Sequence, residues 1–322
     1  MQSLTEERLA KSFREIRQTS YYRPGAVSSW SEHSGTIFES GQSSGFRNLD
    51  SAEVEEVLRE SKAIVESETL RRAGRHRRED WERGWAENEA LLDKVPTEVA
   101  VRPLYFSDQP ALARIGGRLV LPESSLFEQN LLAHLVDGFL GGLVRKMQPD
   151  ALYEFGCGTG QHLLRLTSQW PELSLVGLDW AESSQRLLKE MAHKLGTSKL
   201  SGSNFDFYNP DMDLKISQSG IVYTVAALEQ VGSEHHHFLD FTISKRPMAV
   251  LHVEPIAELL PDGPLENAAK AYFRARNYLE GFLDELYARE SLGQLEVISA
   301  ERTGLGSKFI EGYSAILWRP LG

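Results

Sequence analysis

Cysteine is nearly absent from this sequence. Cys157 is the single cysteine in 322 residues, so no internal disulfide can form, and a reducing compartment is the simplest setting. The N-terminus has no apolar core of signal-peptide length, and there is no run of about 18 apolar residues that would span a membrane. These absences predict a cytoplasmic protein without a membrane partner.

Positive charge is also scarce. The net charge is −11 at pH 7, which argues against a protein whose whole surface attracts nucleic acid. One basic run spans Arg71 to Arg78, and the acids Glu79, Asp80 and Glu82 follow it at once. We interpret this run as a solvated helix face with ion pairs between neighbouring side chains. The charge balance disfavours a nucleic-acid partner.

The rest of the composition is that of an ordinary globular protein, with 41% hydrophobic and 25% charged residues. The length allows one large domain with an extension. From Leu152 onward, strands and helices alternate, which is typical of a parallel sheet with helices on both faces. We predict a mainly helical N-terminal extension over residues 1–120 and an α/β domain over residues 121–322.

The extension carries its own helix signals. Residues 1–20 show helical spacing, a Ser/Gly-rich loop continues to Gly45, and the pair Asp50-Ser51 is a suitable N-cap for a long helix. Further along, Trp81 and Trp85 stand four residues apart. That spacing predicts a buried helical stripe rather than a surface for stacking.

One glycine-rich stretch carries the chemistry. Leu152 to Leu166 has the sequence LYEFGCGTGQHLLRL, in which an apolar strand leads through a turn into a helix. Gly156, Gly158 and Gly160 alternate through the turn. Glycine tolerates positive φ and lets a ligand approach the backbone, while the first N–H groups of the helix offer donors. The pattern predicts a nucleotide-like ligand.

Two fingerprints compete for this turn. The dinucleotide fingerprint G-x-G-x-x-G needs its third glycine at position 161, where this chain has Gln161. The spacing here is E-x-G-x-G-x-G, beginning at Glu154, and a second strand ends on Asp179, 19 residues after Gly160. That is about the distance at which an acidic side chain meets ribose hydroxyls.

With these residues the chain resembles the class I S-adenosylmethionine (SAM)-dependent methyltransferases. In that family the glycine motif wraps the methionine and ribose parts of the cofactor, and the acid that ends strand 2 binds the ribose hydroxyls. The matching residues are Glu154, Gly156, Gly158, Gly160, Asp179 and, after the acid, Trp180. The resemblance covers roughly residues 124–322. It implies SAM as cofactor, S-adenosylhomocysteine (SAH) as product, and a seven-stranded, mostly parallel doubly wound sheet with an antiparallel last strand.

The strands read from the sequence are 151–156, 173–179, 204–208, 220–226, 248–254, 294–302 and 311–319. Ligands of open α/β sheets bind beyond the carboxyl ends of the strands, so the residues there are candidates. The resemblance implies that Asp206 and Phe207, at the third strand, contact the adenine. Glu229, after the fourth strand, is then the carboxylate expected nearest the sulfonium.

The fifth strand ends with His252 and Glu254, which are two residues apart and point to the same side of the strand. Both could therefore reach one substrate. A local acid or base could also come from the segment Glu234-His-His-His237, and we include His237 among the candidates. Three successive histidines spread around a helix and cannot all bind one ion, so we predict no metal site.

Together these residues predict a SAM-dependent methyltransferase acting on a small polar acceptor, with the extension closing over the pocket to exclude water. A hydroxyl acceptor needs a base such as His252 or His237, whereas Glu229 and Glu254 would clamp an amine or guanidine. The sequence leaves both open. Three segments, Val222 or Val225 to Gln230, His252 to Pro255 and Trp318 to Pro320, are loosely similar to those of methyltransferases of polysaccharide and natural-product pathways. This likeness favours a small molecule. The alternatives are a protein or RNA acceptor, or a catalytically silent SAM-binding subunit, and a homodimer is compatible with the sequence.

Overall fold

The computed structural model describes residues 34–39, 42–106 and 109–321. Its strands are β1 (Ser34–Glu39), β2 (Gln42–Asn48), β3 (Ala113–Ile115), β4 (Arg118–Pro122), β5 (Ala151–Phe155), β6 (Ser174–Asp179), β7 (Leu200–Asn204), β8 (Ile221–Val225), β9 (Ala249–Glu254), β10 (Leu295–Glu301), β11 (Gly306–Ser307) and β12 (Ser314–Pro320). Its α-helices are α1 (Ser51–Val65), α2 (Arg78–Glu89), α3 (Thr97–Ala100), α4 (Phe127–Met147), α5 (Gln161–Gln169), α6 (Glu182–Leu195), α7 (His236–Lys245), α8 (Pro264–Arg276) and α9 (Phe282–Ser291). Short 3-10 segments cover Arg75–Arg77, Leu228–His235 and Ala257–Leu259. None of the helices in these ranges combines the length and apolar character needed to cross a bilayer.

Seven strands form the central sheet, in the order β10-β12-β9-β8-β5-β6-β7. The strands from β5 to β9 pair in parallel, while β12 lies antiparallel between β9 and β10. Alternate residues of β9 enter two separate cores, Leu251 and Val253 on one face and Val250 on the other. A strand covered by helices on both faces has this pattern. The structure confirms the predicted α/β class, the seven strands and the antiparallel last strand.

The third strand of the domain lies earlier than predicted. β7 covers Leu200–Asn204, whereas the prediction of a strand over 204–208 is wrong. β7 is the edge strand of the sheet, so polar residues such as Ser201 can stand exposed in it. The aromatic residues that suggest a strand lie in the turn beyond it and pack into the core. Phe205 contacts Phe155 edge to face, with ring centroids 4.6 Å apart.

The residues before the central sheet contribute strands as well as helices. α1 follows Asp50, whose side chain accepts the Glu53 N–H in a capping box, so the predicted N-cap is confirmed. The loop predicted up to Gly45 is wrong over residues 34–39 and 42–45, because β1 pairs with β2 there. A second sheet, in the order β1-β2-β4-β3-β11, links this segment to the C-terminal part of the chain. The helix predicted within residues 1–20 lies outside the described residues.

Polar contacts hold α2 against α6. Both carboxylate oxygens of Glu82 accept the Ser183 N–H at 3.1 Å, in the first turn of α6. A negative charge is favourable there because the N–H groups of a helix N-terminus are unpaired. Arg186 of α6 pairs with Glu89 of α2 at 2.9 Å. The docking of α2 brings Trp85 to the glycine turn.

Candidate functional site

A pocket opens at the carboxyl ends of β5, β6 and β8. The space between its walls measures about 780 Å³ when the open solvent at its mouth is included. Its walls come from five parts of the chain: the glycine turn, the segment after β6, the segment after β7, the loop after β8, and the stretch from Trp81 to Tyr105, which we call the N-terminal segment. This position is the one expected for a ligand site of an open α/β sheet.

The glycine turn follows β5. Gly156, Gly158 and Gly160 have φ values of 70°, 53° and 75°, in the left-handed region that favours glycine. A Cβ on Gly156 would overlap the side chain of Ala227. Gly156 and Gly158 line the pocket, whereas Gly160 packs away from it, where its missing side chain makes room for Leu188. Two of the three predicted glycines therefore face the ligand space, and the third serves helix packing.

Asp179 ends β6 at the predicted position and is 6% exposed. Its Oδ2 accepts the Gly158 N–H and its Oδ1 accepts the Ala181 N–H, both at 2.9 Å. The carboxylate thus ties the glycine turn to the end of β6. A carboxylate can accept about four hydrogen bonds, so lone pairs remain for a ligand. Burial raises the pKa of Asp179 to about 6, although the backbone hydrogen bonds work in the opposite direction.

Glu154 lines the pocket from the end of β5 and is 2% exposed. Its Oε2 accepts the Tyr223 hydroxyl hydrogen bond at 3.0 Å. Burial raises the pKa of Glu154 to about 8, more than the Tyr223 bond lowers it. A cationic group of a ligand placed beside this carboxyl would favour its ionised form. Glu154 is therefore suited to a positively charged part of a ligand.

Cys157 lies in the glycine turn as a small buried side chain. Its Sγ stands 3.4 Å from the Ser184 hydroxyl oxygen. Burial raises the pKa of the thiol well above its usual range. Because the thiolate is the nucleophilic form, the buried thiol is inert near neutral pH.

Aromatic side chains line the pocket beyond β6 and β7. Trp180 stacks on Tyr208 with ring centroids 5.9 Å apart and 28° between the planes, and Phe207 lines the same region. Asp206 does not line the pocket; its Oδ1 accepts the Tyr208 N–H at 2.9 Å. Asp206 therefore shapes the turn that presents Phe207 and Tyr208, as aspartate commonly does in turns.

Part of the basic run lies at this aromatic end of the pocket. The Arg75 guanidinium sits 4.4 Å from the centre of the Tyr208 ring and pairs with Glu234 at 3.0 Å. Arg78 donates to the Trp180 carbonyl oxygen at 3.5 Å. Both arginines are exposed, as predicted for a solvated face, but they also contact Tyr208 and Trp180, which the sequence does not predict.

The N-terminal segment supplies a wall of the pocket. Trp81 and Trp85 stack with ring centroids 5.3 Å apart and both line the pocket. A Cβ on Gly158 would stand 3.0 Å from the Trp85 ring. Thr159 of the turn donates to the Val101 carbonyl oxygen at 2.6 Å. The predicted buried stripe is confirmed for Trp85, which is 8% exposed, whereas Trp81 is half-buried. The spacing does not predict that both rings line the pocket.

The loop after β8 forms another wall. Ala226 has a φ of 47° although it is not a glycine. Gln230 lines the pocket, and its Nε2 donates to Glu229 Oε1 at 2.9 Å. Glu229 itself is 8% exposed and does not line the pocket. Burial, followed by the negative charge of Glu254, raises the pKa of Glu229 to about 8.

His252 shares one side of β9 with Glu254 but lies in the core. It is fully buried, its Nδ1 is 2.9 Å from the Thr224 hydroxyl oxygen, and its ring packs on Phe282 and Trp318. Burial lowers the pKa of His252 to about 3. It does not line the pocket. The structure thus separates this residue from the pocket where we expect a base to act.

Glu254 is also fully buried and does not line the pocket. Its oxygens accept the N–H groups of Ala227, Leu228 and Glu229 at 3.1, 3.0 and 3.2 Å. Desolvation raises the pKa of Glu254 to about 7, against these bonds. The structure brings Glu229 and Glu254 together, but through the backbone of the loop rather than as two arms of a clamp.

His237 lies in the first turn of α7, outside the pocket lining, with its ring centroid 4.0 Å from that of His236. His235 is buried and pairs with Glu285 at 2.9 Å. Within the described part of the chain, no three His, Cys, Asp or Glu side chains form a group that could hold a metal ion.

Three polar side chains near the pocket carry no signal in the sequence. Tyr105 lines the pocket at its mouth, where the residue is 64% exposed. The Tyr313 hydroxyl donates to Glu128 Oε1 at 3.2 Å. Burial raises the pKa of Glu128 to about 7. The three come from distant parts of the chain, so only the fold shows that they are neighbours.

No protein-family model matches the sequence, and no curated protein matches it. Among solved structures, the O-methyltransferase NcsB1 from neocarzinostatin biosynthesis, in complex with SAM and a naphthoic acid, is 17% identical with a TM-score of 0.43. The match covers 61% of this chain and 57% of that one. Magnesium protoporphyrin IX methyltransferase (ChlM) from Synechocystis PCC 6803, with bound SAH, is 14% identical over 58% of this chain and 82% of that one, with a TM-score of 0.43.

The methyltransferase domain of a bacterial protein, CtHen1, is 15% identical over 58% of this chain and 99% of that one, with a TM-score of 0.44. This chain spans little more than half the length of NcsB1. Similarities at such identities and TM-scores carry no information on substrate or activity. The function has to be inferred from the residues of the pocket.

Proposed function

We propose that this chain is a SAM-dependent methyltransferase that transfers a methyl group to an oxygen or nitrogen atom of a small polar acceptor. The observation that supports it best is the hydrogen bond from the Gly158 N–H to Asp179 Oδ2, at 2.9 Å. It joins the glycine motif and the acid of the second strand at one pocket. A site for a nucleoside with a charged amino-acid part needs these two features together.

In this proposal Asp179 binds the ribose hydroxyls of SAM. Its carboxylate is already oriented by the N–H groups of Gly158 and Ala181 and keeps free lone pairs. Glu154 faces the ammonium group of the methionine part, whose positive charge would favour the ionised carboxylate. Gly156 and Gly158 allow the ligand to lie close to the backbone.

The adenine would lie at the aromatic end of the pocket. Trp180, Phe207 and Tyr208 offer flat apolar surfaces there, and aromatic rings stack favourably on such surfaces. Arg75 covers the Tyr208 ring from the solvent side of the rim, where Glu234 holds it. This end of the pocket would therefore exclude water from the adenine ring.

The acceptor would enter beside Tyr105 and Gln230. SAM supplies an activated methyl group, so the protein has to align the acceptor with the sulfonium and take up one proton. Trp81, Trp85 and Tyr105 enclose the site from the N-terminal side, which supports a small acceptor and the proposed role of this segment as a cover. A cytoplasmic location and a homodimer remain predictions.

Titration calorimetry with SAM and SAH tests the cofactor. For Asp179→Ala we expect the dissociation constant to rise at least about thirtyfold, since hydrogen bonds to a charged group contribute about 1.5 to 3 kcal/mol each. Glu182→Ala is the matched control, because this acid is nearby but 80% exposed, and it should bind SAH as the wild type does. Absence of SAH binding by the wild type, or unchanged affinity in Asp179→Ala, would contradict the proposal.

A second experiment tests transfer. Methyl-labelled SAM is incubated with pools of amines, phenols and sugars, and the label is followed into the acceptor fraction. Transfer to any small compound supports the enzyme. SAH binding without transfer to any pool would favour the catalytically silent subunit instead.

A further inference from the structure

The loop after β8 has a shape that its sequence does not favour. Ala226 has a φ of 47°, a conformation in which a residue with a side chain is strained and which glycine usually supplies. The loop is nevertheless placed to matter, because Ala226, Ala227, Gln230 and Val231 all line the pocket. A strained loop at a ligand site needs other residues to hold it.

Glu254 holds this loop. One of its carboxylate oxygens accepts the N–H groups of Ala227 and Leu228 at 3.1 and 3.0 Å, and the other accepts that of Glu229 at 3.2 Å. The three donors are consecutive and stand at the start of the 3-10 segment, where backbone N–H groups lack partners of their own. Hydrogen bonds to a charged acceptor are stronger than those between neutral groups.

Two hydrogen bonds connect Glu254, by way of Glu229, to Gln230 in the pocket wall. The backbone of Glu229 is held by Glu254, and the Glu229 side chain receives the Gln230 Nε2 hydrogen bond at 2.9 Å. This bond orients the Gln230 amide when Glu229 is ionised, because only the amide nitrogen can then donate. Among the described residues, the Gln230 Oε1 is buried and has no hydrogen-bond partner. This oxygen is closed off from solvent, so Gln230 meets the pocket with other atoms of its side chain.

We propose that Glu254 is a positioning residue: through three backbone N–H groups it holds the loop 226–231 in its strained shape, and through Glu229 it places the Gln230 side chain at the wall of the pocket. The inference rests on the proposed function for the identity of the ligand. Glu254 does not touch the ligand, since it is fully buried and does not line the pocket. This role replaces the predicted clamp.

Amide hydrogen exchange on the full chain tests the hold on the loop without any ligand. The measurement is made above pH 8, where Glu254 with its pKa of about 7 is ionised. In Glu254→Gln, the neutral amide accepts fewer and weaker hydrogen bonds, and we expect exchange at residues 227–229 to accelerate about tenfold or more, with residues 156–160 unchanged. Glu254→Asp keeps the charge but is one methylene shorter, so a smaller acceleration is expected. This second variant serves if Glu254→Gln does not fold.

The effect on the pocket is measured with SAH by calorimetry. We expect the dissociation constant to rise about five- to tenfold in Glu254→Gln. Glu290→Gln is the matched control, because Glu290 also accepts a backbone N–H, that of Val297 at 2.7 Å, but it does not line the pocket or its loop. It should lower the melting temperature and leave SAH affinity unchanged, which separates positioning from general stability.

Unchanged exchange at residues 227–229 in both Glu254 variants would overturn the inference, as would faster exchange with wild-type SAH affinity. A wild type that does not bind SAH would refute the proposed function. The exchange measurement would still show whether Glu254 holds the loop.

Discussion

The two sides of the pocket reach similar backbone shapes by different means. On the β5 side, Gly156 and Gly158 occupy the left-handed region at little cost, because glycine has no Cβ. On the β8 side, Ala226 occupies it with a side chain, and the buried carboxylate of Glu254 holds the following residues. The shape of the glycine turn is specified by its own sequence. The shape of the loop after β8 depends on Glu254, a partner from another strand.

Each side also has its own carboxylate bonded to backbone N–H groups. Asp179 holds the glycine turn and faces the pocket, whereas Glu254 holds the opposite loop and lies beneath it. The same chemical group can therefore be a ligand contact or a support. Which of the two roles a carboxylate takes depends on whether it reaches the pocket wall or lies buried beneath it. Neither the residue type nor the position after a strand predicts this.

The largest effect is expected where the backbone shape depends on glycine alone. Gly156→Ala would strain the turn at a φ of 70° and overlap Ala227, so we expect SAH affinity to fall at least about a hundredfold, with a loss of about 1 to 3 kcal/mol in stability. Calorimetry and chemical denaturation measure the two quantities.

Ala226→Gly is the counterpart on the other side. Removal of the side chain relieves the left-handed strain but adds chain entropy, so stability should change by less than about 1 kcal/mol. SAH affinity should stay within about threefold of the wild type. If Ala226→Gly were as damaging as Gly156→Ala, the contrast between a local and a supported shape would be wrong.

The sequence predicts the β5 side well because the relevant signals are local. The three glycines and Asp179 stand at fixed spacings, and the order of strands follows from alternating patterns. Even there, Gly160 proves to pack against Leu188 rather than line the pocket. Spacing shows that a side chain is absent, but it does not show what fills the space.

The other side could not be predicted in the same way. The alternation of β9 correctly places His252 and Glu254 on one side of the strand, but it says nothing of the aromatic rings around His252 or of the loop above Glu254. Trp85 reaches the pocket because α2 docks on α6, through contacts such as Glu82 with Ser183, 101 residues apart. These facts depend on tertiary packing.

A further prediction concerns the buried carboxyls of both sides of the pocket. Burial raises the pKa of Glu154 and Glu229 to about 8, above the value near 4.5 of an exposed glutamate. Between these values the folded state binds more protons than the unfolded state, so stability falls as pH rises. We expect the unliganded protein to unfold more readily at about pH 8 than at about pH 6, by about 1 to 3 kcal/mol for each carboxyl.

Single substitutions show which carboxyl makes the stability of the protein depend on pH. Glu154→Gln and Glu229→Gln should each flatten the slope of unfolding free energy against pH. Saturating SAH should reduce the Glu154 contribution selectively, because the ligand ammonium would favour the ionised form. A slope that is unchanged in both variants would show that these groups do not titrate as their burial implies.

The smallest effect is expected at the rim, where the basic run meets the aromatic end of the pocket. Arg75 and Glu234 are 56% and 46% exposed, and exposed ion pairs contribute less than about 1 kcal/mol. Stacking on Tyr208 adds a similar amount. Arg75→Ala should therefore weaken SAH binding only about two- to fivefold, with a loss that shrinks in high salt.

Arg71→Ala is the control, since Arg71 pairs with Asp80 at 3.7 Å, away from the pocket lining, and it should bind as the wild type does. Equal losses in both variants would mean that the charge of the run, rather than the contact with Tyr208, acts on the ligand.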